Sequence, residues 1–230
     1  MPKSRKRNSK PDLCMSFNSN PLAYETLKWD EGFSFVAGVD EAGRGCMAGP
    51  VVAAAVIFTD KNHIPDGIND SKQLTHEKRM KLREKLLSDP TVLWAIGEVY
   101  PEEIDRINIL QATWKAMRLA LLQLPQTEFA LIDGNPVKGL PVPSLSIVKG
   151  DALSLSIGAA SILAKTTRDL YMEKIAEEYP QYQFEVHKGY CTRIHIRAVE
   201  EFGPCPIHRL TFEPIKSILN PPEKIQPELF

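Results

Sequence analysis

The stretch 35–58 is FVAGVDEAGRGCMAGPVVAAAVIF, two apolar runs joined by a glycine-rich turn. The runs 35–40 and 51–58 predict two strands, and the short link between them predicts an antiparallel hairpin. The first strand ends at two adjacent acids, Asp40 and Glu41. Side chains alternate between the faces of a strand, so both acids can serve one site only where the strand gives way to the turn. Taken alone, the segment fits either a site that holds a cation or a solvated acidic turn.

Composition limits the class of protein. The chain has 230 residues, of which 43% are hydrophobic, enough for one sizeable core with a small appendage. A net charge of -1 neither indicates nor excludes a polyanionic partner, because a local basic surface can dominate an encounter. No run of transmembrane length and no signal-peptide core is present, which predicts a cytosolic protein. The cysteines form no C-x-x-C pair, so reduced thiols are expected; they are Cys14, Cys46, Cys191 and Cys205.

The two ends differ from the middle of the chain. Residues 1–10 carry five basic side chains, which predicts a disordered arm within an N-terminal extension over 1–34. The arm can add salt-sensitive attraction to nucleic acid or can be an inert solvated tail. The proline-rich tail 221–230 is expected to trail over the surface. Its end, QPELF at 226–230, has an apolar terminus and is a candidate docking segment for a partner, with a frayed tail as the alternative.

Apolar runs alternate with helical patterns between these ends. Asn108 and Gln111 resemble a capping box that opens one of the helices. The pattern predicts an α/β fold, in which helices flank a mixed sheet. Beyond the hairpin, it places strands at 92–99, 129–132 and 145–148, and helices at 75–87, 108–124, 153–178, 193–201 and 214–219.

Two further acids follow predicted strands. Asp133 comes after FALI, at the exit of a strand as Asp40 does, and Asp151 comes after SIVKG, where capping the next helix is the alternative role. Carboxylates converging at one sheet edge are typical ligands of Mg²⁺ or Mn²⁺, because hard cations prefer oxygen donors. Two such ions about 3.5 to 4 Å apart can activate a water and stabilise the oxygen that leaves a phosphodiester. That chemistry needs no nucleophilic side chain.

A competing motif overlaps the glycine turn. Residues 43–48, GRGCMA, match the dinucleotide-binding pattern G-x-G-x-x-A. The run that follows is rich in valine and alanine and predicts a strand, so the pattern lacks the helix N-terminus on which a pyrophosphate would sit. The match is therefore interpreted as accidental.

Six strings occur in order along the chain: GVDEAGRG, DSKQL, LIDGN, VKGD, AASILAKTTRD and HKGY. Together they resemble type 2 ribonuclease H, the bacterial ribonuclease HII, over roughly 36–219. The resemblance implies a ribonuclease H-like catalytic domain over 35–220 with a small helical C-terminal portion. It also implies endonucleolytic cleavage of RNA in RNA–DNA hybrids, leaving a 3′ hydroxyl and a 5′ phosphate. Incision at single ribonucleotides embedded in duplex DNA is part of the implied activity.

The resemblance also implies roles for particular residues. The acids would bind Mn²⁺ or Mg²⁺, activating water for in-line attack and stabilising the leaving 3′ oxygen; they are Asp40, Glu41, Asp133 and Asp151. Backbone groups of the Gly-Arg-Gly motif would contact the ribose 2′ hydroxyl, which distinguishes RNA from DNA; the motif is Gly43, Arg44 and Gly45. Tyr190 would pack on the following deoxyribose, and a half-buried core tyrosine is the alternative.

Spacing and resemblance together suggest contacts with phosphate groups. Ser161, Lys165 and Arg168 lie at i, i+4 and i+7, on one face of the long helix, and Lys72 lies in a polar turn. The alternative for each is a solvated surface group. The four are Lys72, Ser161, Lys165 and Arg168.

Two other interpretations remain. Ribonuclease HIII shares the acidic centre but lacks the Gly-Arg-Gly motif and carries a separate N-terminal substrate-binding domain, for which a first strand near Phe35 leaves too little chain. A nonenzymatic nucleic-acid-binding or metal-binding module that retains the fold would not need four intact acids. A monomeric enzyme acting on RNA–DNA hybrids and ribonucleotide-containing DNA is thus expected.

Overall fold

Five strands form one mixed sheet in the order β3-β2-β1-β4-β5. The protein is represented by a computed structural model, which describes residues 20–68 and 74–221. Lys72, the basic arm and the tail from 222 onward lie outside these ranges. The strands are β1 Val36–Ala42, β2 Val51–Phe58, β3 Val92–Val99, β4 Phe129–Asp133 and β5 Ser144–Ile147.

The register of the sheet confirms the predicted hairpin. β1 pairs antiparallel with β2, and β2 pairs antiparallel with β3. β4 lies on the other side of β1 and runs parallel to it, with Val39 opposite Ile132. β2 is buried along its whole length, which explains its unbroken run of apolar residues. Because β1 and β4 are parallel neighbours, their carboxyl ends lie at the same edge of the sheet.

Helices cover both faces, as the predicted mixed α/β architecture requires. The helices expected from the sequence are present, and no end is shifted by more than two residues. Three helices were not predicted, namely α1, α3 and the single-turn α6. α1 lies inside the proposed extension, and α3 begins at a proline, a residue suited to the first turn of a helix. The helices are α1 Ala23–Asp30, α2 His76–Ser88, α3 Pro101–Ile107, α4 Ile109–Leu122, α5 Leu155–Glu178, α6 Phe184–His187, α7 Arg193–Phe202 and α8 Ile215–Leu219, with 3₁₀ turns at Gly150–Ala152 and Pro180–Tyr182.

The sheet separates two parts of the core. α4 packs on one face, where Val39 and Ala53 meet Met117. α5 and α2 cover the other face, where Ala54 of β2 meets Leu163. A third cluster surrounds the end of α5 and gives the small helical C-terminal portion implied by the resemblance; it includes Met172, Tyr182, Phe184, Val199 and Ile215.

β1 and α5 approach each other at Gly38. A Cβ atom on Gly38 would lie 2.1 to 2.5 Å from backbone atoms of Ser156 and Ile157, so only glycine fits this contact. The contact brings the first turns of α5 directly over β1, two residues before Asp40. The fold thereby places the acidic end of β1 beneath α5, the helix that carries Ser161.

Helix α1 is attached to the start of α5 by a buried carboxylate. One oxygen of Glu25 accepts hydrogen bonds from the Oγ atoms of Ser154 and Ser156 and from the backbone N–H of Ser156. An anion at a helix N-terminus is favoured by the helix dipole. In the described ranges, none of the helices is both long and apolar enough to cross a membrane.

Candidate active site

The predicted site lies where β1 and β4 end. β1 continues two residues beyond its expected end at Asp40, because Glu41 and Ala42 still pair with β2. The expectation that the strand gives way at Glu41 was therefore wrong. Both acids nevertheless face one cleft, since they sit at the last rungs of the sheet, where its edge opens.

The cleft has a volume of about 300 Å³. Its lining combines carboxylates from two strands with glycine backbone, basic side chains and one tyrosine ring. This is a polar, solvent-open site suited to a charged ligand. The lining residues are Asp40, Glu41, Ala42, Gly43, Arg44, Gly45, Arg79, Asp133, Ser161, Lys165 and Tyr190.

Asp40 is the most buried acid of the cleft lining, with 5% of its surface exposed. Its Oδ1 accepts a hydrogen bond from the backbone N–H of Glu41 at 2.7 Å, and its side chain is hydrogen-bonded to Ser161 of α5. Burial raises the pKa of Asp40 well above its usual value, and the charges of Glu41 and Asp133 raise it further. The two hydrogen bonds oppose that rise only in part.

Asp133 and Asp151 are joined through the 3₁₀ turn. Oδ1 of Asp133 accepts hydrogen bonds from the N–H groups of Gly150, at 2.7 Å, and of Asp151, at 3.4 Å. Asp151 is buried and, within the described ranges, is not among the residues that line the cleft. Its alternative role as helix cap was wrong, because Ser154 caps α5 by accepting from the N–H of Ile157. The structure thus places three predicted ligands in the cleft lining, and the fourth is buried and outside that lining.

The donor set suits a hard divalent cation. Burial raises the pKa of Glu41, and Asp133 raises it further, while Arg44 acts in the opposite direction. Carboxylates whose ionised forms repel one another are stabilised by a shared positive charge. No group of three or more His, Cys, Asp or Glu side chains in residues 20–68 and 74–221 is already arranged as a closed metal site. The chemistry therefore fits Mg²⁺ or Mn²⁺, with side chains that would still have to converge.

The Gly-Arg-Gly motif forms one wall of the cleft. Gly43 has φ +88°, and a Cβ there would lie 2.0 Å from Nε of Arg168. Gly45 faces open space instead, so a ligand can approach its backbone closely. The exposed Arg44 places Nη1 3.5 Å from Oε1 of Glu41. The motif thus lines the cleft beside the acids.

Arg168 is not placed as a phosphate contact. It is 0% exposed, and its guanidinium donates to the carbonyls of Pro50, Lys188 and Ala48 at 2.8 to 3.0 Å. The bonds to Ala48 and Pro50 hold the glycine-rich loop, residues 43–50, from its buried side. The predicted contact with a phosphate group does not fit this buried location. Ser161 and Lys165 on the same helix face do line the cleft, but the spacing did not reveal that the loop covers this face at Arg168.

Lys165 and Tyr190 meet at the mouth of the cleft. Nζ of Lys165 lies 5.5 Å from the centre of the Tyr190 ring and 2.7 Å from Oδ1 of Asp169. Tyr190 is 43% exposed, and its hydroxyl contacts the thiol of Cys46. The ring is therefore available to a ligand, and its hydroxyl is anchored to the glycine-rich loop.

Two functional candidates were missed by sequence reasoning. Arg79 of α2 lines the cleft, although helix 75–87 gave no sign of which face would meet the acids. Arg209 is fully buried and donates to carbonyls of the glycine-rich loop. Its separation from the loop by more than 150 positions left no local signal.

Comparison with known proteins identifies the family. The sequence model of the family "Ribonuclease HII" matches residues 37–215. The ribonuclease HII of Chlamydia trachomatis serovar A is 52% identical over 200 residues, covering 86% of this chain and 90% of the relative. That of Caldanaerobacter subterraneus subsp. tengcongensis is 50% identical over 190 residues, covering 82% and 78%.

Solved structures agree with the sequence match. The ribonuclease H2 of Pyrococcus horikoshii OT3 superposes with a TM-score of 0.66 at 29% identity, covering 80% of this chain and 96% of that one. The ribonuclease HII in the PCNA complex from Archaeoglobus fulgidus gives 0.67 at 25% identity, covering 78% and 95%. The ribonuclease H-like fold is thus confirmed, and the sequence matches to ribonuclease HII decide against the sister family ribonuclease HIII. The chain belongs to the ribonuclease HII family.

Proposed function

We propose that this enzyme incises duplex DNA at single embedded ribonucleotides, in addition to the cleavage of RNA in RNA–DNA hybrids that its family membership supports. The reaction proposed is hydrolysis of a phosphodiester with two divalent ions, leaving a 5′ phosphate and a 3′ hydroxyl. One observation carries the proposal: three acids and the Gly-Arg-Gly backbone line the same cleft. Cleavage and recognition groups therefore face one bound strand.

The acids would hold the ions. Asp40, Glu41 and Asp133 are proposed as ligands in the cleft, and Asp151 as a ligand reached through the 3₁₀ turn. Ser161 orients the carboxylate of Asp40, and the N–H of Gly150 fixes one oxygen of Asp133. When bound, two divalent ions supply activation of a water and stabilisation of the leaving 3′ oxygen.

Recognition would use the backbone and one ring. Gly43, Arg44 and Gly45 are proposed to contact the 2′ hydroxyl, the group by which a protein distinguishes RNA from DNA. The exposed Tyr190 ring would pack on the next deoxyribose, and Lys165 beside it would contact a phosphate group. Lys72, for which a phosphate contact is also proposed, lies outside the described residues.

Location and partners are proposed on general grounds. A cytosolic monomer acting in ribonucleotide excision repair is consistent with the composition of the chain and with the absence of a membrane-spanning helix in the described ranges. The Archaeoglobus fulgidus relative forms a complex with PCNA. By analogy, a replication clamp is the proposed partner of the tail 226–230, which lies outside the described residues.

The decisive experiment is an incision assay on a duplex with one ribonucleotide, using an all-DNA duplex of the same sequence as control. With Mg²⁺ or Mn²⁺ we expect a single cut at the ribonucleotide and none in the control duplex. Asp40→Asn should lower the rate by about a thousandfold, since an anionic ligand is replaced by a neutral group. Asp30→Asn, at an exposed acid of α1, is the matched control and should cleave as the wild type does.

Three outcomes would contradict the proposal. Near-wild-type turnover by Asp40→Asn would remove the acid from the reaction. Cleavage of long hybrids without incision at a lone ribonucleotide would limit the enzyme to hybrids. Binding of both duplexes without any cleavage would favour the nonenzymatic interpretation.

A further inference from the structure

Arg209 is a buried cation whose hydrogen bonds go to the glycine-rich loop. Its Nη2 donates to the carbonyl of Gly43 at 2.7 Å and to that of Gly49 at 2.8 Å. Nη1 donates to the carbonyl of Arg44 at 3.1 Å, and Nε to Gly49 at 3.0 Å. The guanidinium thus binds both ends of the loop and holds them at a fixed separation.

The segment that carries Arg209 is itself fixed. Its own N–H donates to the carbonyl of Met47, and the N–H of Gly49 donates to the carbonyl of Ile207. On the other side, the N–H groups of Leu210 and Thr211 donate to the carboxylate of Asp105 in α3. Arg209 is therefore a rigid support and not a mobile surface side chain.

The bound carbonyls determine where the loop amides point. In a trans peptide the C=O of one residue and the N–H of the next point in opposite directions. With the carbonyls of Gly43 and Arg44 turned toward Arg209, the N–H groups of Arg44 and Gly45 point away from it. Both residues are exposed and line the cleft, and among the described residues neither N–H donates a hydrogen bond to the protein.

We propose that Arg209 is the positioning residue for ribonucleotide recognition: it orients the Arg44 and Gly45 amides toward the 2′ hydroxyl. This inference rests on the proposed function, in which the Gly-Arg-Gly backbone contacts that hydroxyl. Arg209 does not touch the substrate. It acts through two carbonyls on the reverse side of the peptides that do.

Arg168 provides an internal comparison. It is equally buried, but it donates to the carbonyls of Ala48, Pro50 and Lys188. It therefore supports the far end of the loop, whereas Arg209 alone of the two binds the carbonyls of Gly43 and Arg44. A lysine at position 209 would keep the charge but not the planar fork that reaches several acceptors at once.

The test separates positioning from general loss of structure. In an Asp40→Asn background, which prevents cleavage, fluorescence anisotropy with Mg²⁺ measures Kd for two duplexes that differ in a single 2′ hydroxyl. The preference is the Kd for the all-DNA duplex divided by the Kd for the ribonucleotide duplex. We expect Arg209→Gln to lower this ratio by about tenfold, because the hydrogen bonds to the 2′ hydroxyl are no longer oriented. Affinity for the all-DNA duplex should stay unchanged. Arg209→Lys should give an intermediate preference and keeps the test available should the glutamine variant not fold.

The matched control is Arg83→Lys. Arg83 donates to the hydroxyls of Thr166 and Thr167 on α5 and makes no contact with the loop, so the preference should be unchanged. An equal fall in affinity for both duplexes, or an unchanged preference in both folded Arg209 variants, would overturn the positioning role alone. No preference in the Asp40→Asn parent itself would overturn recognition by the Gly-Arg-Gly backbone as well.

Discussion

Two clusters of titratable groups flank the glycine-rich loop, and they differ in how their members act on one another. At the acidic edge, the charge of Asp133 raises the pKa of both Asp40 and Glu41, and the charge of Glu41 raises that of Asp40. In the C-terminal part, three histidines are partnered by hydrogen bonds. This histidine cluster consists of His187, His195 and His208, all buried.

The histidine cluster forms a complete chain of donors and acceptors. The carbonyl of Tyr190 can only accept, so Nδ1 of His195, 2.9 Å away, carries a proton. Nε2 of His195 must then accept from Nε2 of His208 at 2.9 Å. Nδ1 of His208 is left to accept from the N–H of Cys205. The third ring, His187, donates from Nε2 to the carbonyl of Tyr182 and accepts at Nδ1 from the N–H of Gly189, so both nitrogens of every ring have a hydrogen-bond partner.

Burial therefore has opposite consequences in the two clusters. It lowers the pKa of His195 to about 3 and that of His208 to about 4, which keeps the rings neutral. At the acidic edge it raises the pKa of Asp40, and the like charges of Glu41 and Asp133 raise it further. A cluster of neutral rings that hydrogen-bond to one another and to the backbone stabilises a fold, whereas carboxylates gathered in one cleft mark a site that suits a cation.

The largest expected effect is on the pH dependence of stability. Because the folded-state pKa of His195 lies below its usual 6.5, the unfolded state binds protons more readily. The neutral His195 ring makes its full contribution to the free energy of unfolding above pH 6.5, and this contribution is lost as the pH falls toward 3. Between pH 7 and pH 4, the titration of His195 alone should lower the free energy of unfolding by about 3 kcal/mol. His195→Gln should reduce this loss, as measured by urea unfolding across that range.

The free energy of unfolding of the variant is compared with that of the wild type at each pH. The other groups that titrate in this range are present in both proteins, so their effects cancel. His63, whose ring is exposed, offers the matched control, and His63→Gln should leave the slope unchanged. If the free energy of unfolding changes with pH equally in His195→Gln and in the wild type, the buried histidine cluster does not resist protonation.

A smaller effect of opposite sign is expected at the acidic edge. Asp40 has a folded-state pKa raised above 3.8, so its protonated form stabilises the fold and that stabilisation is lost as pH rises through the raised pKa. At pH 7 and without divalent ions, Asp40→Asn should therefore be more stable than the wild type, because the neutral amide is not penalised by burial as the ionised carboxylate is. The gain should shrink on acidification and on addition of Mg²⁺. A lower unfolding midpoint for the variant in EDTA at pH 7 would contradict this account.

The difference between the clusters also explains what the sequence could predict. Asp40 and Asp133 were found because each follows an apolar run, and parallel strands bring such positions to one edge. The role of Arg209 and the burial of Arg168 depend on segments distant in the chain, which share no local pattern. Helix α1 was missed because its eight residues carry only a weak apolar stripe, and its position depends on one carboxylate, Glu25, reaching the start of α5. The local sequence pattern thus predicted most strands and helices and the acidic residues at the strand ends. Contacts between distant segments determine which arginines are buried, and these contacts leave no local pattern.

The smallest effect concerns Tyr190, which belongs to both regions. Its ring lines the cleft, while its carbonyl, which any residue would retain, accepts from His195. Tyr190→Ala should therefore leave stability nearly unchanged and lower kcat/KM at a lone ribonucleotide by about fivefold to tenfold, as expected for the loss of one ring contact. Cleavage of a long hybrid should fall less, because many registers are available. Tyr190→Phe keeps the ring and loses only the contact with Cys46, so it should resemble the wild type. Equal losses on both substrates would remove the ring from recognition of the junction and leave Tyr190 with only its structural role.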